Sequence, residues 1–223
     1  MGSLYIVSTP IGNLKDITLR ALEILFEVDV VLAEDTRKTG QLLSFYKEDR
    51  QTPKMVSFYE ENEESRKEQV IEWLKEGQDV ALVSDAGTPL LSDPGFKLVR
   101  ECVSQEINVV PVPGASAILA GLVVAGLPTD KFVFLGFLPK KSGKKEKLLS
   151  KTIASELTVI FYESPFRIVK TLEELSKIND EMRVVMGREL TKKFEEVMRG
   201  TPSELIEKIG GKKVKGELVV LVK

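Results

Sequence analysis

The stretch Val80-Ala-Leu-Val-Ser-Asp-Ala-Gly-Thr-Pro-Leu-Leu-Ser-Asp-Pro-Gly95 decides the architecture. Its first residues form an apolar run that ends in Ser84, which reads as a short strand. A loop with two glycines and two prolines follows. From residue 93 to 105 the pattern turns helical, with Pro94 in the first turn, where a missing N–H costs least. The same strand, loop and helix order recurs on both sides. Strands read at residues 4–8, 30–33, 54–58 and 107–111, and helices at 18–27, 36–45 and 63–76. The last of these helices carries Val70, Ile71, Trp73 and Leu74 as its apolar stripe and stops at Gly77. Strands alternating with helices argue for a parallel sheet flanked by helices.

Pro111-Val-Pro-Gly114 stiffens and turns the chain, so it is read as a domain boundary, with one α/β domain over 1–113 and a second over 114–223. In the second, a small-residue helix at 116–125 precedes strands at 131–138, 159–163, 183–188, 195–198 and 217–222, with helices at 167–177 and 202–209. The strands crowd toward the end, which predicts a mixed sheet. The basic run Lys140, Lys141, Lys144, Lys145 and Lys147 is broken by Ser142 and Gly143 and reads as a solvated surface loop.

Composition removes whole classes of chemistry. The chain of 223 residues holds no histidine, so no Ser-His-Asp or Cys-His triad can form, and the common zinc hydrolase sites are disfavoured. Its single cysteine, Cys102, allows no internal disulfide. No apolar run is long enough for a membrane helix, and the N-terminus lacks the pattern of a signal peptide, so the expectation is a cytoplasmic protein without a metal. Basic and acidic residues number 32 and 34, a net charge of −2, so any polyanion must be held by a local patch.

In open α/β sheets ligands bind at the carboxyl ends of strands, which makes the following loops the candidates. They are Ser8-Thr-Pro-Ile-Gly-Asn-Leu-Lys-Asp-Ile-Thr18, Ala33-Glu-Asp-Thr-Arg-Lys-Thr39, the 84–95 loop quoted above, and Pro113-Gly-Ala-Ser116. In the second, Asp35 or Thr36 caps a helix. Arg37 and Lys38 stand in its first turn against the helix dipole, which suggests an anionic partner. Phe161-Tyr-Glu-Ser-Pro-Phe-Arg167, Gly187-Arg-Glu-Leu-Thr-Lys192 and Lys215-Gly-Glu217 play similar parts in the second domain, where each also reads as a strand end or a salt bridge.

Together these motifs, in order and over essentially the whole chain, closely resemble the tetrapyrrole methylase superfamily and, within it, the small-subunit ribosomal RNA methyltransferase I family. The resemblance implies two α/β domains, a homodimer, and S-adenosylmethionine held between the domains. It implies 2'-O-methylation of one decoding-centre cytidine of 16S rRNA in the small ribosomal subunit. By motif it assigns donor contacts to Pro10, to Ser84 and Asp85 with Ala86, Gly87 and Thr88, to Ser116 and Ala117, and to Phe161, Tyr162, Leu190 and Glu217. The first loop departs from the Gly-Pro-Gly-Asp type of the tetrapyrrole-modifying branch, which favours the RNA branch.

A donor that carries an activated methyl group removes the need for histidine. The ribose hydroxyl still needs an acceptor for its proton. Glu34, Asp35, Glu163 and Glu189, or a deprotonated Lys192, are the candidates. Arg37, Lys38, Arg167, Arg188 and Lys192 are candidates for phosphate or ribose contacts. Arg37, Glu34, Asp35, Glu189 and Lys192 form the expected catalytic set. A methylase acting on another substrate and a non-catalytic RNA-binding factor are the alternatives left open at this point.

Overall fold

A computed structural model describes residues 1–47 and 49–223, which divide into two compact units, Met1–Ser116 and Ala117–Lys223. In the first unit, β1 (Leu4–Val7), β2 (Val30–Ala33), β3 (Lys54–Ser57), β4 (Val80–Val83) and β5 (Val109–Val112) form a sheet in the order β3-β2-β4-β1-β5. All pairings are parallel, with Leu4 opposite Val80 and Val109, and Val30 opposite Lys54 and Val80. Helices α1 (Leu19–Glu27), α2 (Thr36–Tyr46), α3 (Glu63–Lys75) and α4 (Phe96–Ser104) link the strands. Alternate side chains of one strand enter opposite faces. Val80 and Leu82 pack with Phe58, Leu74 and Leu98, while Ala81 and Val83 pack with Leu25 and Leu43. That double burial is why the central strands are continuously apolar.

Helix α4 starts three residues later than the sequence suggests, at Phe96 rather than Asp93, and Pro94 lies ahead of its first turn. Its cap is Gly95 at φ +123, where a Cβ would meet Leu82 Cδ2 at 2.5 Å. Glycine supplies no capping side chain. Glu63 of α3, 4% exposed, reaches across and accepts from the backbone N–H of Gly95 at 3.1 Å and Lys97 at 3.0 Å. Glu63→Ala should leave those donors unsatisfied and cost about 1–3 kcal/mol. Urea unfolding measures it, and a loss below a few tenths would refute the capping role.

In the second unit, α5 (Ala117–Ala125), β6 (Phe132–Phe137), α6 (Ser142–Ile153), β7 (Thr158–Glu163), α7 (Ile168–Ile178), β8 (Val184–Arg188), β9 (Glu196–Gly200), α8 (Pro202–Ile209) and β10 (Leu218–Val222) follow in order. The sheet order is β6-β7-β10-β8-β9. Only β6 and β7 pair in parallel, so the sheet is mixed as expected. Val159, Phe161, Leu172, Leu175, Met186 and Val220 form its core.

The lysine run is a loop only at Lys140 and Lys141. Residues 142–153 form α6, and Lys145 is 3% exposed. Lys145 Nζ pairs with Glu174 Oε2 at 2.6 Å and donates to Thr171 Oγ1 at 2.8 Å. Ser142 Oγ also donates to Glu174, at 2.7 Å. Burial would raise the Glu174 pKa, but the hydrogen bonds from Lys145 and Ser142 outweigh it and hold the carboxyl below its usual range. The lysine therefore occupies a core-facing position, with Leu149 one turn on. Among the described residues, no helix is long and apolar enough to cross a membrane.

Candidate functional site

In the first unit every strand points the same way, so the loops after β1, β2, β4 and β5 open at one edge. The connection from β2 runs outward to β3, whereas that from β4 crosses β1 to reach β5. The connections that leave neighbouring β2 and β4 therefore run in opposite directions, and the crevice outside such a switch point is where sheets of this kind take ligands.

The loops beside this crevice are laced together. Thr9 and Gly87 exchange backbone hydrogen bonds at 2.8 and 3.0 Å. Ser8 Oγ lies 3.0 Å from Thr88 Oγ1, which also donates to the Ala115 carbonyl at 3.2 Å. Gly87 takes φ +85, and a Cβ there would meet Ile11 at 3.3 Å. A Cβ on Gly114 would meet the Ser8 side chain at 2.9 Å. Of the expected donor contacts, Pro10, Ser84 and Gly87 are buried in this lacing, while Asp85, Thr88, Ser116 and Ala117 are half-exposed and Ala86 is exposed.

Carboxylates gather at the crevice. Asp85 Oδ1 accepts the Asp35 N–H at 3.0 Å, and its Oδ2 pairs with Lys38 Nζ at 2.6 Å. The Asp85 N–H donates to Glu34 Oε2 at 3.4 Å. Asp35 caps α2 through the Arg37 N–H and holds the Arg37 guanidinium at 2.7 and 2.9 Å. Those contacts with Arg37 drop the Asp35 pKa to about 2, which makes it a poor proton acceptor at neutral pH. Arg37 and Lys38 thus already have anionic partners within the chain, Asp35 and Asp85, and their place at a helix start needs no external anion.

The sequence reading missed Asp93. It is half-buried, and burial together with the nearby charges of Glu34 and Asp85 pushes its pKa up to about 6, against a hydrogen bond from Ser84. Among the described residues, Glu34 and Asp93 have no ion-pair partner. Among the described residues, no group of three or more acids or cysteines is placed to hold a metal ion.

The second unit offers its own edge. Leu218 pairs with both Glu163 and Arg188, Arg188 pairs with Glu196, and Phe137 pairs with Tyr162. The loops after β6, β7 and β8 and the one before β10 therefore share one end of the sheet. Phe161 is buried and Tyr162 half-buried, its ring 5.0 Å from Phe134 and 5.4 Å from Phe137. Leu190 is 9% exposed, and Gly187 packs so closely that a Cβ would touch Val219 and Leu190 at 3.0 and 3.2 Å.

Lys192 Nζ bridges Glu217 at 2.8 Å and Glu189 at 3.1 Å. Burial works against its charge, but the two carboxylates outweigh that and raise the Lys192 pKa, so the amine stays protonated at neutral pH. The Glu217 N–H and Lys192 lower the Glu189 pKa. Both shifts favour the charged forms, an ionised Glu189 and a protonated Lys192. Glu163 is turned inward, held by Arg167 at 2.6 Å and Thr171 at 2.7 Å. Arg188 pairs with Glu196 at 2.9 Å.

The family model for Tetrapyrrole (Corrin/Porphyrin) Methylases matches residues 3–206. The Thermotoga maritima protein named ribosomal RNA small subunit methyltransferase I is 47% identical, over 100% of this chain and 98% of its own. Among solved structures, diphthine synthase superposes with a TM-score of 0.75 at 17% identity, over 99% of this chain and 90% of its own. Uroporphyrin-III C-methyl transferase from Thermus thermophilus, complexed with S-adenyl homocysteine, gives 0.67 at 20% identity, over 99% and 97%. At such identities the structural likeness speaks for the fold, and the sequence relationship speaks for the family. The chain therefore belongs to the tetrapyrrole methylases and, within them, to the ribosomal RNA small subunit methyltransferase I family.

Proposed function

We propose that this protein transfers the methyl group of S-adenosylmethionine to the ribose 2'-oxygen of a decoding-centre cytidine of 16S rRNA, within the small ribosomal subunit. The reading carries with it a cytoplasmic location, where that subunit is, and the homodimer implied by the family resemblance. The observation that carries it is the full-length relationship to a small-subunit rRNA methyltransferase, joined to the crevice between β2 and β4.

The residues of that crevice fit the donor. A sulfonium and an α-ammonium are cations, and Glu34 and Asp93 are carboxylates that form no ion pair among the described residues. The donor's sulfonium supplies a methyl group that is already activated, so the chain needs only to orient, exclude water and accept a proton. Asp93 is the group tuned to accept it, since a base works best with a pKa near the operating pH. On the sequence motifs, Tyr162, Leu190 and Glu217 of the second unit contribute to donor binding as well.

Mass spectrometry of 16S rRNA from cells lacking the protein should show one cytidine without its 2'-O-methyl group. Unchanged rRNA would overturn the reading. Asp85→Ala should weaken donor binding by about 1.5–3 kcal/mol, as expected for hydrogen bonds to a charged group. It should leave RNA affinity intact or raised, because it releases Lys38. Separate calorimetric titrations of donor and RNA check this, and an unchanged donor affinity would remove Asp85 from the site.

A further inference from the structure

The shared sheet end of the second unit concentrates positive charge that the net balance of the chain conceals. The loop after β6 carries Lys140 and Lys141, and the segment before β10 carries Lys212, Lys213 and Lys215, all exposed and none in an ion pair among the described residues. Into the same end project two aromatic rings that contribute little to the core. Phe166, in the loop after β7, is 81% exposed, and Phe194, just before β9, is 65% exposed. Each has a lysine without a carboxylate partner beside it. Lys213 Nζ lies 5.7 Å from the Phe166 ring centre and Lys193 Nζ lies 5.6 Å from that of Phe194.

We propose that Phe166 and Phe194 are stacking platforms for unpaired bases of a single-stranded RNA segment, with Lys213 and Lys193 taking the adjoining phosphates. The proposal rests on the rRNA reading above and adds to it the form of RNA that is recognised and the residues that recognise it. The pairing of ring and cation is what a single strand requires, because an unstacked base offers a flat face while its backbone offers charge. A duplex hides its bases, so the rings would gain nothing from it. Their loops leave the same end of one sheet, because β7 and β8 both pair with β10, and Arg188 pairs with Glu196, two residues beyond Phe194.

The test uses the full chain, a short labelled single-stranded oligocytidine, and an RNA duplex with the same number of phosphates. Wild-type protein should prefer the single strand. Phe166→Ala with Phe194→Ala should weaken single-strand binding by about tenfold per ring. The salt dependence should stay unchanged, since no cation is lost. The only tryptophan of the chain is Trp73, so Phe166→Trp adds a reporter at the proposed platform, and its emission should be quenched as oligocytidine saturates. If the double variant binds the single strand as wild type does and the emission of the Phe166→Trp variant stays flat, RNA is held by charge alone and the proposal falls. It also falls if the double variant alters only self-association in sedimentation, or if wild type prefers the duplex or binds neither RNA. Methyl transfer by wild type to unmethylated small subunits, measured alongside, separates such a failure from a failure of the functional reading itself.

Discussion

Lys145→Met is expected to destabilise the protein by about 3–5 kcal/mol, the cost of leaving one partner of a buried ion pair alone. Lys145 and Glu174 expose only 4% and 8% of their side chains, so the stranded Glu174 carboxylate could not recover its hydration. The pair also anchors more than itself. Lys145 donates to Thr171, Thr171 donates to Glu163, and Glu163 holds Arg167 at 2.6 Å. That chain of contacts ties α6 to the carboxyl end of β7, where Arg167 also reaches the Leu138 carbonyl. Replacing both partners, Lys145→Met with Glu174→Leu, should recover more than half of the loss, because a well-packed apolar pair carries no desolvation penalty. Urea unfolding of the two singles and the double measures this as a double-mutant cycle. A loss below about 1 kcal/mol in the single lysine variant would show that α6 is as solvated as its composition suggests. The same reasoning changes how the lysine run should be probed for RNA steering. Lys140, Lys141, Lys144 and Lys147 are exposed and can be neutralised together, whereas including Lys145 would confound binding with unfolding.

Helix α6 and the β4 strand show what periodicity can and cannot carry. Val80–Val83 is apolar throughout because both of its faces are covered, so the strand and its place in a parallel sheet were legible from the residues alone. In α6 the core-facing position before Leu149 is a lysine, and the charge that makes it tolerable comes from Glu174, far along the chain. No local pattern shows that. Arg37 and Lys38 teach the same lesson from the other side. Their position against the helix dipole was legible and suggested an external anion, but Asp35 answers one locally and Asp85 answers the other through the pairing of β2 with β4. The candidate loops themselves were legible, since a parallel sheet sends its strand ends to one edge. The proton acceptor proposed above was not. Asp93 precedes a proline and reads as the start of a helix, and its altered acidity depends first on burial and then on Glu34, which the β2–β4 pairing brings near.

Asp93→Asn is expected to make the protein more stable and far less active, a combination that a merely structural residue would not give. The sign follows from the direction of the shift. In the folded chain Asp93 has a pKa of about 6, above the 3.8 of an unperturbed aspartate, because burial and the facing carboxylates Glu34 and Asp85 oppose its ionisation. The folded state therefore binds its proton more tightly than the unfolded state does. The stability this gives is fully present below pH ~4 and is lost as the pH rises through about 6. At neutral pH the ionised Asp93 is a net cost, on the order of 1 kcal/mol once its partial exposure is discounted. Asparagine removes that cost and flattens the stability profile between about pH 4 and 6. Activity should respond oppositely. Only the carboxylate form can accept the ribose proton, so wild-type single-turnover methylation should rise with an inflection near pH 6. Asp93→Asn should lower the rate by about a hundredfold to ten-thousandfold and abolish the inflection. Part of the donor's affinity should follow the same titration, because a cation in the crevice favours the ionised form. Unfolding midpoints and single-turnover rates across this pH range decide the matter together. A variant that is less stable yet equally active would show that Asp93 holds the 84–95 loop in place, and the proton would then have to pass to Glu34, the other carboxylate of the crevice without an ion-pair partner among the described residues.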